Sequence, residues 1–172
     1  MGGFDEDYEQ RMREARERAR GGDRNEVLDY LDLKAANDAE RTRAVEWLLE
    51  SFTAAAGELN REGAGLTLAR TDAYRFRVGN STMVGTRLVL RHGVRALTVE
   101  AGWPRAPRDG IVRGGGLASA AVSHFGDARA GEELLLVPDA HKGARWFVIE
   151  KTSARTELHP ERLRRHLARL LD

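Results

Sequence analysis

Seventeen residues, Glu100 to Gly116, hold one Trp, two Pro, three Arg, two acids and five Gly between two strand-like runs. Three chemistries are open to that mixture. Arg105, Arg108 and Arg113 are suited to phosphate or carboxylate groups, which a guanidinium grips with paired N–H donors. The consecutive glycines Gly114, Gly115 and Gly116 allow backbone N–H groups to converge on an anion. Glu100 and Asp109, with His92 and His124 from the flanking strands, are of the residue types that move protons as general acid and base. Trp103 stands between Gly102 and Pro104, where a large ring either plugs the core or anchors a partner.

None of this completes a familiar catalytic motif. A phosphate loop needs Gly-x-x-x-x-Gly-Lys-Ser/Thr, and a dinucleotide fingerprint needs a helix after the glycines inside a βαβ unit. Neither is present. Ser119 and Ser123 lack a nucleophile-elbow sequence. His141, His159 and His166 have no partner at metal-ligand spacing. If the chain is an enzyme, a small hydrolase-like one, Glu100, Asp109 and His124 are the catalytic set. No cofactor and no metal is expected.

The runs before this stretch add more arginine. Arg75 and Arg77 share one side of a strand, as Arg87 and Arg91 do on the next, and Arg95 follows a turn. Antiparallel neighbours lie about 5 Å apart, so the expectation is a single basic face with Arg105, Arg108 and Arg113 at its rim. Tyr74, Trp103 and His92 would serve as stacking platforms or partner contacts. The competing reading is a solvated sheet face in an arginine-rich chain. The basic residues are 25 Arg and 3 Lys, and Ala, Gly and Leu are also abundant. That usage suggests a GC-rich bacterial genome and weakens any claim that a given Arg was selected over Lys.

The elements that must position these residues follow from periodicity. Residues 5–20 read as a polar helix with i,i+4 pairs Glu9–Arg13 and Glu14–Arg18, ended by Gly21 and Gly22. A short helix follows from Asn25 to about Leu33. A third begins at the capping-box pair Asn37 and Glu40 and carries Val45, Leu48, Leu49, Phe52, Ala55, Ala56 and Leu59 at helical spacing. After Gly65 the period changes to two. Leu66 and Leu68, then Tyr74, Phe76 and Val78, then Thr82–Leu90 and Val94–Glu100 are short alternating runs separated by glycine turns. Residues 116–125 read as a further strand, with a short helix as the alternative given Ala118, Ala120 and Ala121. Glu133–Val137 and Ala144–Glu150 form a hairpin around Pro138 and Asp139. Pro160 opens a last helix that buries Leu163, Leu167, Leu170 and Leu171 and solvates Arg162, Arg164, Arg165 and Arg169. Trp47 and Trp146 are expected in the core.

The fold class is therefore α+β: N-terminal helices and one C-terminal helix packed on a single antiparallel meander sheet of five to seven strands. Residues 1–22 are read as a polar helical extension able to dock a partner, and residues 23–172 as one domain.

Charge is unevenly spread. Residues 1–60 hold 15 acids and 9 bases, whereas residues 61–129 hold 11 bases and 5 acids. An anionic partner for the middle segment, or an internal match between the two, would answer that asymmetry. The chain has no cysteine, so disulfides, thiolate metal sites and thiol nucleophiles are excluded. No apolar run is long enough to span a membrane, and the acidic start has no apolar signal region, so cytoplasmic residence is expected. The leading expectation is a non-enzymatic adaptor or accessory protein whose basic face and 100–116 loop contact an anionic partner, foremost nucleic acid. The alternative is a protein-interaction module, a chaperone or subunit of a larger assembly, that uses Trp103 and the N-terminal helix to meet another protein or a second copy.

Overall fold

Two helices, seven strands and a final helix follow one another along the chain in a computed structural model that describes residues 3–19 and 25–172. Helix α1 spans Gly3–Ala19 and α2 spans Asn25–Arg61. The strands are β1 (Thr67–Val78), β2 (Ser81–His92), β3 (Arg95–Trp103), β4 (Ala118–His124), β5 (Asp127–Val137), β6 (Arg145–Ile149) and β7 (Arg155–Glu157), and α3 spans Pro160–Leu171. Gly21 and Gly22, read as the stop of the first helix, lie outside the described residues.

The short second and third helices expected from the sequence are one continuous α2. Lys34-Ala35-Ala36 contains no breaker, and Ala is the best helix former, so Asn37 and Glu40 fall inside the helix instead of opening it. Contacts divide the chain into two compact units, residues 1–40 and 41–172, with the division inside α2. The sequence reading drew its boundary after residue 22.

In the first unit, α1 and the start of α2 run antiparallel. The Tyr8 hydroxyl donates to Asp38 at 2.7 Å, the Lys34 ammonium sits 4.6 Å from the centre of the Tyr8 ring, and Arg16 meets Asp32 at 3.0 Å. These are mostly exposed contacts, each worth under about 1 kcal/mol.

The second unit is an antiparallel meander in the order β1 to β7, every neighbour in the sheet being a neighbour in sequence. One face carries the core. Leu88 and Leu90, Leu97 and Val99, Ala118, Ala120 and Val122, Leu134 and Leu136, and Trp146 and Val148 alternate inward along successive strands. They pack under Val45, Leu48, Leu49, Phe52 and Ala56 of α2 and Leu163, Leu167 and Leu170 of α3. Polar contacts fix the register of α2: Trp146 Nε1 donates to the Ala44 carbonyl at 2.9 Å, Arg41 Nε to the Leu117 carbonyl at 2.6 Å, and Arg70 grips Glu46 with two bonds of 2.7 Å. Trp47, expected in the core, is 44% exposed; the helical stripe that buries Leu48 and Phe52 turns it outward.

The α3 arginines are not uniformly solvated. Arg162 turns inward and bonds Glu132 and Glu150 at 2.7 to 3.1 Å. His166 joins the buried stripe. Its Nδ1 lies 2.9 Å from His124 Nε2, and its Nε2 lies 2.9 Å from Glu132. Arg169 pairs with Asp127 beside them. Burial, then the neighbouring His166 and Arg169, pushes His124 below its ordinary value of 6.5. Burial works against the Glu132 carboxylate, but the hydrogen bonds from His166 and Arg162 outweigh it and hold that group at about 2.

Both groups make folding sensitive to acid. A histidine held neutral in the fold loses stability once the unfolded chain begins to take up protons below pH 6.5, and a depressed carboxylate contributes stability that is present above its ordinary 4.5 and lost toward 2. The melting temperature should therefore decline in two steps on acidification. His124→Phe should remove much of the first step and Glu132→Gln much of the second, as measured by thermal denaturation between neutral pH and pH 2.

Candidate functional site

Among the described residues, the helical segments of the second unit pack on one face of the sheet, and the residues of the other face are fixed by the strand register. From β1 to β7 one row reads Tyr74, Gly85, Gly102, Ser119, Leu135, Phe147 and Glu157, and the next reads Thr71, Arg87, Glu100, Ala121, Glu133, Ile149 and Arg155. Phe76, Met83 and Leu135 belong to this face, yet all three are buried outside the helix-covered core. What covers them is the β3–β4 connection, residues 104–117, which lies across the end of this face as a strap.

Pro104 ends β3, because proline cannot donate to the ladder; the strand runs on to Trp103, three residues past the expected end at Glu100. The strap then turns through a single 3-10 turn at Pro107–Asp109. The buried Asp109 carboxylate accepts the Ala106 and Arg105 backbone N–H groups at 3.1 and 3.3 Å. The Ser81 hydroxyl donates to the Ile111 carbonyl at 2.8 Å and lies 3.2 Å from the Ile111 N–H. At the far side Arg155 donates to the Gly114 carbonyl at 2.9 Å. Gly116 must be small: a Cβ there would lie 2.3 Å from the Leu135 side chain and 2.9 Å from the Leu136 carbonyl. The triple glycine thus lets the strap lie down on the sheet, with Gly114 and Gly115 at φ of 78° and 74°.

The expected basic face is divided. Two residues of β1, Asp72 and Ala73, stand opposite Thr86 alone, and Ala73 has φ of 51°. This bulge reverses the alternation. Arg75 and Arg77 therefore turn to the helix side of the sheet, whereas Arg87 and Arg91 stay on the strap side. Arg91, Arg95 and His92 lie at the opposite end of the strands from the strap. Arg87 faces Glu100 at 3.9 Å with its guanidinium 5.2 Å from the Tyr74 ring. Burial raises the Glu100 carboxyl against the pull of Arg87. Trp103 is 8% exposed, part of the core, with the Arg105 guanidinium stacked 3.7 Å over its ring. It is the plug and not the exposed anchor.

The acid–base set does not converge. Glu100 is on the strap face, Asp109 is tied into the strap's own backbone, and His124 is on the helix face beside α3. Among the described residues no group of His, Asp and Glu is arranged to hold a metal ion, and no helix is long and apolar enough to cross a membrane.

The structure does bring another set together. Arg113 lies over Gly79 in the β1–β2 turn, its guanidinium 3.0 Å from where a Cβ would be. Arg77 donates to the Asn80 carbonyl in the same turn at 3.3 Å. Arg155 meets Gly114, next to Arg113, and the exposed Arg108 projects from the strap. Five other arginines of the sheet unit are paired: Arg70 with Glu46 and Asp72, Arg87 with Glu100, Arg145 with Asp139 and Glu157, Arg162 with Glu132 and Glu150, Arg169 with Asp127. Among the described residues, Arg77, Arg108, Arg113 and Arg155 form no ion pair, and the only acid in the strap, Asp109, is buried. Arg155 was missed from sequence. It sits 39 residues beyond the glycines, and only the return of β7 along the sheet brings it back to them.

No match to this chain was found among protein-family models, curated proteins or solved structures. The reading of the site rests on its geometry.

Asp109→Ala should release the strap. Two backbone N–H groups lose their acceptor, at a cost of about 1–3 kcal/mol for a buried unsatisfied group. The denaturation midpoint should fall by a corresponding amount, with faster hydrogen exchange at Arg105 and Ala106 than at the β4–β5 ladder.

Proposed function

We propose that the chain is a cytoplasmic accessory protein that binds a phosphate-bearing polymer, foremost nucleic acid, through the arginines at the strap end of its sheet. One observation carries the reading: Arg77, Arg108, Arg113 and Arg155 lie on the β1–β2 turn, the strap and the strand that meets it without a carboxylate partner, while Arg70, Arg87, Arg145, Arg162 and Arg169 each face an acid. Like charges held together favour the arrival of an anion, and a polymer that carries a phosphate at each step neutralises several at once while releasing its counterions. Exposed arginines along a strand end and a loop suit an extended backbone better than a small ligand, which needs a concave enclosure. Tyr74, on the same face, supplies an aromatic ring.

The measurement is fluorescence anisotropy with single- and double-stranded oligonucleotides across a salt series. Binding should weaken steeply with salt. Arg108→Glu with Arg113→Glu should weaken it on all sequences and flatten the slope of log K against log salt by about one unit per contact removed. A folded double variant that binds as the wild type does, or a wild type that binds nothing at low salt, would sink the reading.

A protein partner is the second reading, and a different observation favours it. Val27, Tyr30 and Leu33 are exposed along one side of α2 in the first unit, Tyr30 by 64%. An apolar stripe on a helical hairpin suits a protein contact, whose affinity should hardly respond to salt.

A further inference from the structure

We propose that the protein self-associates as a twofold dimer through the groove between α2 and α3, a surface separate from the arginine rim. The groove consists of two adjoining hollows of about 220 and 410 Å³ that share Ala55, Glu58 and Arg164. Its lining advances together along both helices, from Trp47 beside Pro160 and Leu163 to Glu62 beside Leu171 and Asp172. The two helices therefore run side by side in the same direction.

The floor is small and apolar at Ala54 and Ala55, and Trp47 stands 44% exposed at one end. Trp47, Ser51, Ala54 and Glu58 follow a spacing of four, three and four, a single stripe along α2. Large exposed aromatic area beside small residues is the composition of a packing surface left open.

Charge selects the occupant. Glu58 and Glu62 line the α2 wall and Arg164 the α3 wall, with Arg165 exposed beside it, and among the described residues none of the four is ion-paired. Where the two hollows meet, the groove is acidic on the α2 wall at Glu58 and basic on the α3 wall at Arg164; at the far end Glu62 lies beside Asp172. A twofold axis along the seam lays α2 of one copy over α3 of the other, so that Glu58 meets the partner's Arg164 and Arg164 meets the partner's Glu58. Such an isologous contact satisfies both walls twice over. The same operation sets Trp47 over the partner's Leu163. A groove with walls of a single sign would repel its own copy; this one complements it.

Sedimentation velocity and light scattering over a concentration series test the proposal, with circular dichroism to confirm folding of each variant. The wild type should show twice the chain mass and dissociate on dilution. Trp47→Ala should raise the dissociation constant about tenfold, as truncation of an interface tryptophan does. Glu58→Arg and Arg164→Glu should each weaken the dimer on their own, because each sets like charges together. Mixed in equal amounts, these two variants should recover the dimer. At positions 58 and 164 the Glu58→Arg chain is basic on both walls and the Arg164→Glu chain is acidic on both, so facing one another they restore both pairs. A wild type that stays monomeric throughout, a dimer that survives Trp47→Ala and Glu58→Arg unchanged, or a mixture that fails to recover would overturn it. None of these outcomes depends on whether the arginine rim binds nucleic acid.

Discussion

The Asp109 carboxylate is the tie on which the strap side of the sheet depends. A seven-stranded sheet has two faces, and the helices of the second unit close only one of them. Phe76, Met83 and Leu135 on the other face need a cover, and a loop used as a cover brings backbone groups that must find partners away from water. One Asp109 carboxylate oxygen accepts two backbone N–H groups of its own strap, Ser81 holds Ile111, and Arg155 holds Gly114. With those groups satisfied, the strap is a fixed layer, and Arg105, Arg108 and Arg113 are carried on it at set positions. The small second core and the arginine rim thus stand or fall together.

The β1 bulge serves a different need with a consequence for the same rim. Strand β1 is a twelve-residue edge, the kind of edge that pairs with other chains unless it is blunted. Asp72 and Ala73 interrupt its ladder, and Arg70, Arg75 and Arg77 line it. At the other edge β7 is only three residues long. The interruption that protects the edge also swaps the faces of everything after it, so Tyr74 and Phe76 join the strap side while Arg77 turns back toward its own β-turn and is left near Arg113.

Much of the fold was legible because it is local. Each strand pairs with the next in sequence, so the glycine turns and alternating runs are enough to order the sheet, and Val45, Leu48, Leu49 and Phe52 mark the buried side of α2 by spacing alone. The misses share a cause. A single extra residue at Asp72–Ala73 reverses a face with no change in composition. Trp47 and Trp146 are the same residue type with opposite fates, decided by which flank of α2 meets the sheet. Arg162 and His166 turn inward because Glu132 and Glu150, distant in sequence, await them on β5 and beyond β6. The candidate site was half legible: Arg77, Arg105, Arg108 and Arg113 could be named, but which of them keep their charge unspent depends on where the acids fall in space.

That dependence is what separates arginines in a chain that has 25 of them. Arg162, with two carboxylates bonded to it and little exposure, is structural, and its removal would leave the half-buried Glu132 and Glu150 facing one another without it. Arg87, with one carboxylate at 3.9 Å, is loosely held. Arg77 and Arg155 have carbonyl oxygens for neighbours, which orient a guanidinium without cancelling its charge. At physiological salt the screening length is about 8 Å, so side chains gathered on one turn and one strap still repel one another, and the fold holds them there through Asp109 and Ser81 against that repulsion. An arriving polyanion would relieve it without requiring the strap to move. Arginines without a carboxylate partner, whether turned to a carbonyl from a strand as Arg77 and Arg155 are or carried on the strap as Arg108 and Arg113 are, keep a charge that an exposed ion pair would offset.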